Sequence, residues 1–195
     1  MSLRIARIPT SELEAALDDV AQIRIEVFWE FPYLYDGDMD SERDYIAKYR
    51  DSENAIVIGA WDGDKLVGAA TGTPMEDHAE EFAASFQEAG YDLADMFYCS
   101  ESVLLPPLRG QGAGHAFFDH RDAHARALGR RWSCFCSVVG PPELQPPGYR
   151  PNDVFWCERG YAPMLGVYAE FNWKDVGDMT ETKKSMQFWI RDLEQ

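Results

Sequence analysis

Residues 109–114 read Arg109-Gly110-Gln111-Gly112-Ala113-Gly114, with glycines at alternate positions directly ahead of a helical stripe. Small residues let a backbone approach a ligand closely, and a helix start offers unpaired N–H groups at the positive end of its dipole. Together they form an anion site suited to phosphate. The competing explanation is a strand–turn–helix corner whose glycines serve packing alone, and the context favours the phosphate. Two phosphate-binding patterns fail. A P-loop needs a lysine after its glycines, and none follows. The dinucleotide fingerprint Gly-x-Gly-x-x-Gly needs a glycine where His115 stands, counted from Gly110, or where Phe117 stands, counted from Gly112.

A third pattern fits. The run from Leu104 to Gly114 is a strand end, a proline pair and then Gln/Arg-x-x-Gly-x-Gly/Ala, and it resembles the acyl-CoA-binding motif of the GNAT superfamily of N-acetyltransferases. The resemblance implies that backbone N–H groups of residues 109 to 114 cradle the CoA pyrophosphate. It also implies that the backbone around Leu104 and Leu105 pairs with the pantetheine arm as an added strand would. Acetyl-CoA would be the co-substrate, with no metal, and a primary amine on a small molecule or a peptide would be the acceptor.

Acyl transfer from a thioester needs a neutral amine, a donor for the carbonyl oxygen and a proton for the departing thiolate. Glu101 is the only carboxylate inside the central strand. A carboxylate in a buried strand needs a partner or a purpose, so Glu101 is the candidate base, with a paired structural acid as the alternative. Tyr98 and Ser100, expected on the opposite strand face, are candidates to contact the acceptor or relay its proton. The family pattern often places a tyrosine four residues before a Gly-Phe pair. Here Gly160-Tyr161 fits the pair and the position holds Trp156, which cannot give up a proton at neutral pH. Tyr149, Cys157 or solvent is left for that step, or departure of the thiolate unaided. By their place on the short helix that follows a long loop, Asn152 and Trp156 are read as neighbours of the CoA arm. No activated cysteine or Ser/His/Asp set stands out, which implies direct attack in a ternary complex.

Residues 28–38, Phe28-Trp29-Glu30-Phe31-Pro32-Tyr33-Leu34-Tyr35-Asp36-Gly37-Asp38, form an aromatic, acidic stretch with proline and glycine breakers. Such a stretch reads either as a binding lip or as a plug over the core. In the family it would border the acceptor, so Glu30, Tyr33, Tyr35 and Asp36 join Ser100 as acceptor candidates. His120-x-x-x-His124 lies at helical spacing beside Asp119 and Asp122, but the glutamate that zinc proteases carry between two histidines is missing. We read that face as solvated. His115, just after the turn, is a candidate phosphate contact.

These residues need a scaffold, and the periodicities supply one. Strands are expected at Leu3 to Ile8 on a sheet edge, Ala55 to Trp61, Leu66 to Thr73, Tyr98 to Leu105, Arg131 to Val139, Ala162 to Trp173, and around Met186 to Ile190. The last fits a helix too, but its Trp and Phe content favours the strand. Helices are expected from Ser11 as N-cap to Val27, from a Ser41-x-x-Asp44 capping box through Tyr49, over Ala79 to Ala89, and from Ala113 to Leu128 with Gly129 as the stop. A proline-rich loop from Gly140 to Pro151 precedes helical turns over Asn152 to Arg159. The expected fold is α/β: one GNAT-like domain over 1–195, a mixed, mostly antiparallel twisted sheet flanked by helices.

At 195 residues and 46% apolar, the chain is long enough for one sizeable core. Its net charge of −16 disfavours nucleic acid and anionic membrane as partners and suits a cationic acceptor. No run reaches the length of a membrane span, and a cytoplasmic location is expected. Cys134-x-Cys136 is not a metal or redox motif, and the four cysteines read as reduced and mostly buried. A hydrophobic last strand is a candidate homodimer edge. The expected function is an acyl-CoA-dependent N-acetyltransferase. A non-catalytic acyl-CoA-binding module is the alternative, and a nucleotide-binding oxidoreductase is a third.

Overall fold

A computed structural model describes residues 3–194. Its strands are β1 (Arg4–Arg7), β2 (Ile56–Asp62), β3 (Lys65–Pro74), β4 (Met96–Leu104), β5 (Trp132–Val138), β6 (Ala162–Lys174) and β7 (Glu181–Asp192). Its α-helices are α1 (Thr10–Phe28), α2 (Met39–Asp51), α3 (Ala79–Glu88), α4 (Ala113–Ala127) and α5 (Asp153–Glu158). The element order matches the expected one, including a strand at the C-terminal end. One sheet runs β1-β2-β3-β4-β5-β7-β6, antiparallel throughout except for the parallel β4–β5 pair; the last strand, β7, is paired on both sides and is therefore not the free edge expected for a homodimer.

Helices cover both faces. Phe117 and Phe118 of α4 pack on Ile58, Ala70 and Phe97, with Phe155 and Trp156 of α5 beside them. On the other face, Leu17 and Val20 of α1 and Ile46 of α2 cover Val57, Ala69 and Val103. Phe82 and Phe86 of α3 cover Met96, Tyr98 and Phe188. Among the described residues no helix is long and apolar enough to cross a membrane.

Two helix starts differ from expectation. α1 begins at Thr10, behind Pro9 and without a side-chain cap, so Ser11 lies inside its first turn. For α2 the cap is Asp38, whose carboxylate accepts from the Ser41 N–H at 3.0 Å and the Ser41 hydroxyl at 2.8 Å. Ser41 is thus the answering residue of the cap rather than the cap itself, because aspartate at the break already satisfies the first donors.

The feature that shapes the rest is a bulge in β4. Thr71 pairs with Glu101 and Thr73 with Tyr98, so β4 holds one residue more than β3 across that span. The extra residue resets the alternation, and Tyr98 and Glu101 point to the same face. The expected opposition of the two rested on an unbroken period of two, which the bulge cancels. Gly72 lies across from the bulge, where a Cβ would stand 2.5 Å from Cε1 of Phe97. Beyond it, β4 and β5 part. They pair only at Met96–Trp132, Phe97–Ser133 and Tyr98–Cys134, although β4 runs on to Leu104 and β5 to Val138.

Candidate active site

The parting of β4 and β5 opens a cleft of about 1180 Å³, with Cys99 to Leu104 on one wall and Phe135 to Val139 on the other. One end reaches the glycine turn and the head of α4; the other reaches Phe31, Pro32 and Tyr33. Backbone groups alternate in direction along a strand. The Leu105 N–H donates to Val67 of β3 at 3.0 Å, so of the expected pair Leu104 and Leu105 only Leu104 turns its backbone to the cleft. The Leu104 carbonyl accepts from Nε of Arg109 at 3.1 Å.

At the glycine turn, Gly110 and Gly112 have φ of +78° and +86°, the left-handed region that disfavours side chains, and Gly112 caps α4. Gly110, Gly112, Ala113, Gly114 and His115 all face the cleft, whereas Gln111 does not. Gly114 also serves packing, since its Cβ would lie 3.3 Å from Cζ of Phe155, and the missing side chain lets α5 close on α4. A left-handed turn feeding first-turn N–H donors fits a diphosphate, and the unpaired β4 edge fits an extended amide-bearing arm. The residues present therefore fit CoA. Arg109 also pairs with Glu30 at 3.0 Å, which ties the glycine turn to the aromatic stretch. The His115 ring packs edge-on against Phe155, 4.8 Å between centroids.

Glu101 lies on the cleft wall with its oxygens in use. Oε1 accepts from Thr71 at 2.8 Å; Oε2 accepts from Tyr45 at 3.0 Å and pairs with Arg24 at 2.8 Å. Arg24 also binds Glu42. Burial works against the Arg24 charge, but Glu101, Tyr45 and Glu42 outweigh it and raise its pKa. This is the paired arrangement that the sequence left as the alternative for Glu101. Tyr98 is not on the cleft wall. Its hydroxyl contacts Sγ of Cys136 at 3.1 Å, and burial, then Cys136, push its pKa well up. Tyr98 points towards α3 and does not line the cleft, on the same face as Glu101 rather than the opposite one expected. Ser100 does line the cleft, and its buried Oγ has no hydrogen-bond partner among the described residues.

The aromatic stretch divides in two. Glu30, Phe31 and Tyr33 reach the cleft, and Phe31 meets Tyr149 edge-on at 4.7 Å. Tyr35 and Asp36 do not: Tyr35 bridges to Asp175, and Asp36 pairs with Lys174 at 2.7 Å. The stretch is thus part cleft wall and part contact with the end of β6 and the segment after it. Burial, then Cys136, push the Tyr33 phenol up, and burial, then Asp153, raise that of Tyr149. Asn152, at the N-cap of α5, and Trp156, on α5, face the cleft, and Trp156 packs on Phe135 and Trp189 at 4.9 and 5.1 Å.

Several residues escaped the sequence reading. Arg121 is buried and donates to the carbonyls of Glu101 at 2.9 Å and Thr71 at 3.3 Å, beside the bulge. Asp122, expected on a solvated face, is buried and binds Arg191 at 2.7 Å and Arg159 at 3.3 Å. The signal was present, because Arg121 and Asp122 follow Phe117 and Phe118 at four-residue spacing. His124, on the same helix, contacts the Asn54 carbonyl at 2.9 Å.

The fold is similar to that of several solved proteins. One is a GNAT-family protein from Desulfovibrio desulfuricans: TM-score 0.60, 11% identity, 98% of this chain and 99% of that chain covered. Another is aminoglycoside 6'-acetyltransferase type Ii, with TM-score 0.61, 13% identity and 97% of each chain covered. A third is the PaiA N-acetyltransferase of Thermoplasma acidophilum, solved with coenzyme A: TM-score 0.55, 10% identity, 98% and 99% covered. The chain therefore has the fold of the GNAT acetyltransferases. The likeness is one of fold, since the sequence matches no family model and no curated protein.

Proposed function

We propose that the protein is an acyl-CoA-dependent N-acetyltransferase that acts on a primary amine by direct attack in a ternary complex. The observation that carries this reading is the parting of β4 from β5, which opens straight onto the left-handed glycine turn at the head of α4. Bound acetyl-CoA supplies the activated acyl thioester. The N–H groups of the turn and of the first turn of α4 hold its diphosphate, and Leu104 offers its backbone to the arm. Trp156 and Phe135 exclude water from the middle of the cleft. The Tyr33 and Tyr149 phenols, raised by burial, stay protonated at neutral pH and can donate to the departing sulfur. Glu101 shapes the acceptor side through Arg24, Tyr45 and Thr71, and the amine proton leaves through water.

A non-catalytic acyl-CoA-binding module is the second reading. It draws on the fully engaged Glu101 and on Trp156 at the position of the family tyrosine. Melting curves with acetyl-CoA, CoA, NAD and ATP, followed by a thiol-release assay with amines, separate the readings. We expect shifts with acetyl-CoA and CoA alone, and thiol release. Shifts without release favour the module, and a shift with NAD alone overturns both.

A further inference from the structure

Beyond Tyr33 the cleft continues into a second cavity of about 790 Å³ that shares Pro32, Tyr33, Val138, Val139 and Tyr168 with it. We propose, on the acetyltransferase reading above, that this cavity holds the body of the acceptor, and that the acceptor is a primary amine on an apolar, aromatic or alkyl, body.

Three observations converge. The first is apolar surface that folding leaves open: Val139 is 75% exposed and Leu144 58%, and both line the cavity together with Tyr33 and Trp173. Large apolar side chains clustered in a concavity mark a ligand surface more than chance exposure does. The second is charge at the rim. Lys184 pairs with Asp175 and Lys183 with Glu170, each at 2.5 Å, so these lysines are already neutralised and do not call for a charged body. The third is charge at the inner end. Glu42 and Glu101 share the one guanidinium of Arg24, which leaves that face of β4 net negative beside the cleft. An ammonium entering from the cavity meets this charge, and its apolar body stays behind on Val139, Leu144 and Trp173. An acidic protein attracts polycations in general, and Asp178 lines this cavity outside the lysine pairs, so a polyamine is the competing occupant that the test has to exclude.

The test is calorimetric binding to the CoA-saturated protein, with 2-phenylethylamine, ethylamine and spermidine as probes. Burial of the phenyl ring predicts that 2-phenylethylamine binds about tenfold or more tighter than either of the others. Leu144→Asp, a change at an exposed position, should cut that preference over ethylamine about fivefold or more by placing a charge in the apolar wall. Equal or tighter binding of ethylamine or spermidine overturns the proposal, and so does a preference that Leu144→Asp leaves intact. Because the readout is binding, it stands apart from turnover. Selective binding without thiol release overturns the transferase reading and leaves the cavity assigned; thiol release with no preference for apolar amines does the reverse.

Discussion

The guanidinium of Arg121, on α4, donates to the main-chain carbonyl of Glu101, on β4, at 2.9 Å. A second contact reaches the carbonyl of Thr71 on the neighbouring strand. Thr71 and Glu101 are the last pair before the bulge, and a buried carbonyl without a donor costs about 1–3 kcal/mol. Arg121 thus ties α4 to β3 and β4 beside the bulge, on the wall of the cleft, and among the described residues it has no carboxylate partner.

Replacing Arg121 with methionine keeps much of the volume and removes the donors. We expect a loss of about 2–4 kcal/mol, a fall of about 5–10 °C in melting temperature. The acetyl-CoA KM should rise by a larger factor than kcat falls, because this tie shapes the binding cleft rather than the reacting atoms. Arg121→Lys, which can still reach one carbonyl, should recover part of both. Steady-state kinetics beside melting curves decide it. An unchanged KM in a destabilised Arg121→Met protein would make the residue structural only.

Much of the fold was legible because it rests on local signals. Apolar alternation, the helical stripes of α1 and α4, and the glycine and proline breaks gave the element order. The bulge was not legible. Nothing between Tyr98 and Glu101 marks an extra residue, and its partner Gly72 is one of several small residues in β3. Hence Tyr98 was expected on the wrong face, while Glu101 was found but its partners were not. Arg24 and Glu42 lie far from Glu101 in sequence, and their ion pairs exist only once α1 and α2 dock on the sheet. The glycine turn was legible because its chemistry is local: φ values and helix position follow from consecutive residues.

The glycines of the turn should respond differently to substitution. Gly112 is left-handed with open space about its Cβ position, so Gly112→Val costs backbone strain of about 1–2 kcal/mol and displaces the first N–H donors of α4. The CoA dissociation constant should rise about tenfold or more, as read by titration calorimetry. Gly114→Ala instead meets Phe155, and should lower the melting temperature with a smaller change in CoA affinity. Equal effects of both on affinity would refute the division of labour.

Glu101→Gln separates an anchor from a base. Arg24 keeps Glu42, so the cost of losing one carboxylate stays near about 1–2 kcal/mol, below that of stripping a buried cation of its only partner. With the proton leaving through water, the pH–rate profile should keep its shape while kcat drops by less than about tenfold. A lost acidic limb would restore Glu101 as the base.

The thiols give the pH prediction with the plainest sign. Cys99, Cys134 and Cys136 are buried and Cys157 is exposed. Burial pushes the Cys136 thiol up from 9.0 to about 12 and also raises Cys99 and Cys134. Between pH 9 and 12 the unfolded chain has released the Cys136 proton while the folded chain still holds it. Folding therefore binds a proton at Cys136 in that window, and stability present below it is lost as pH rises, at about 1.4 kcal/mol per pH unit, with Cys99 and Cys134 acting in the same direction. Melting temperatures should fall above pH 9, and Cys136→Ala should flatten that fall. In the native protein at pH 8 a disulfide-exchange reagent should titrate Cys157 quickly, and the other thiols only after denaturation. Rapid reaction of Cys136 in the native state would show that the β4–β5 cleft opens more deeply than its packing against Tyr98 allows.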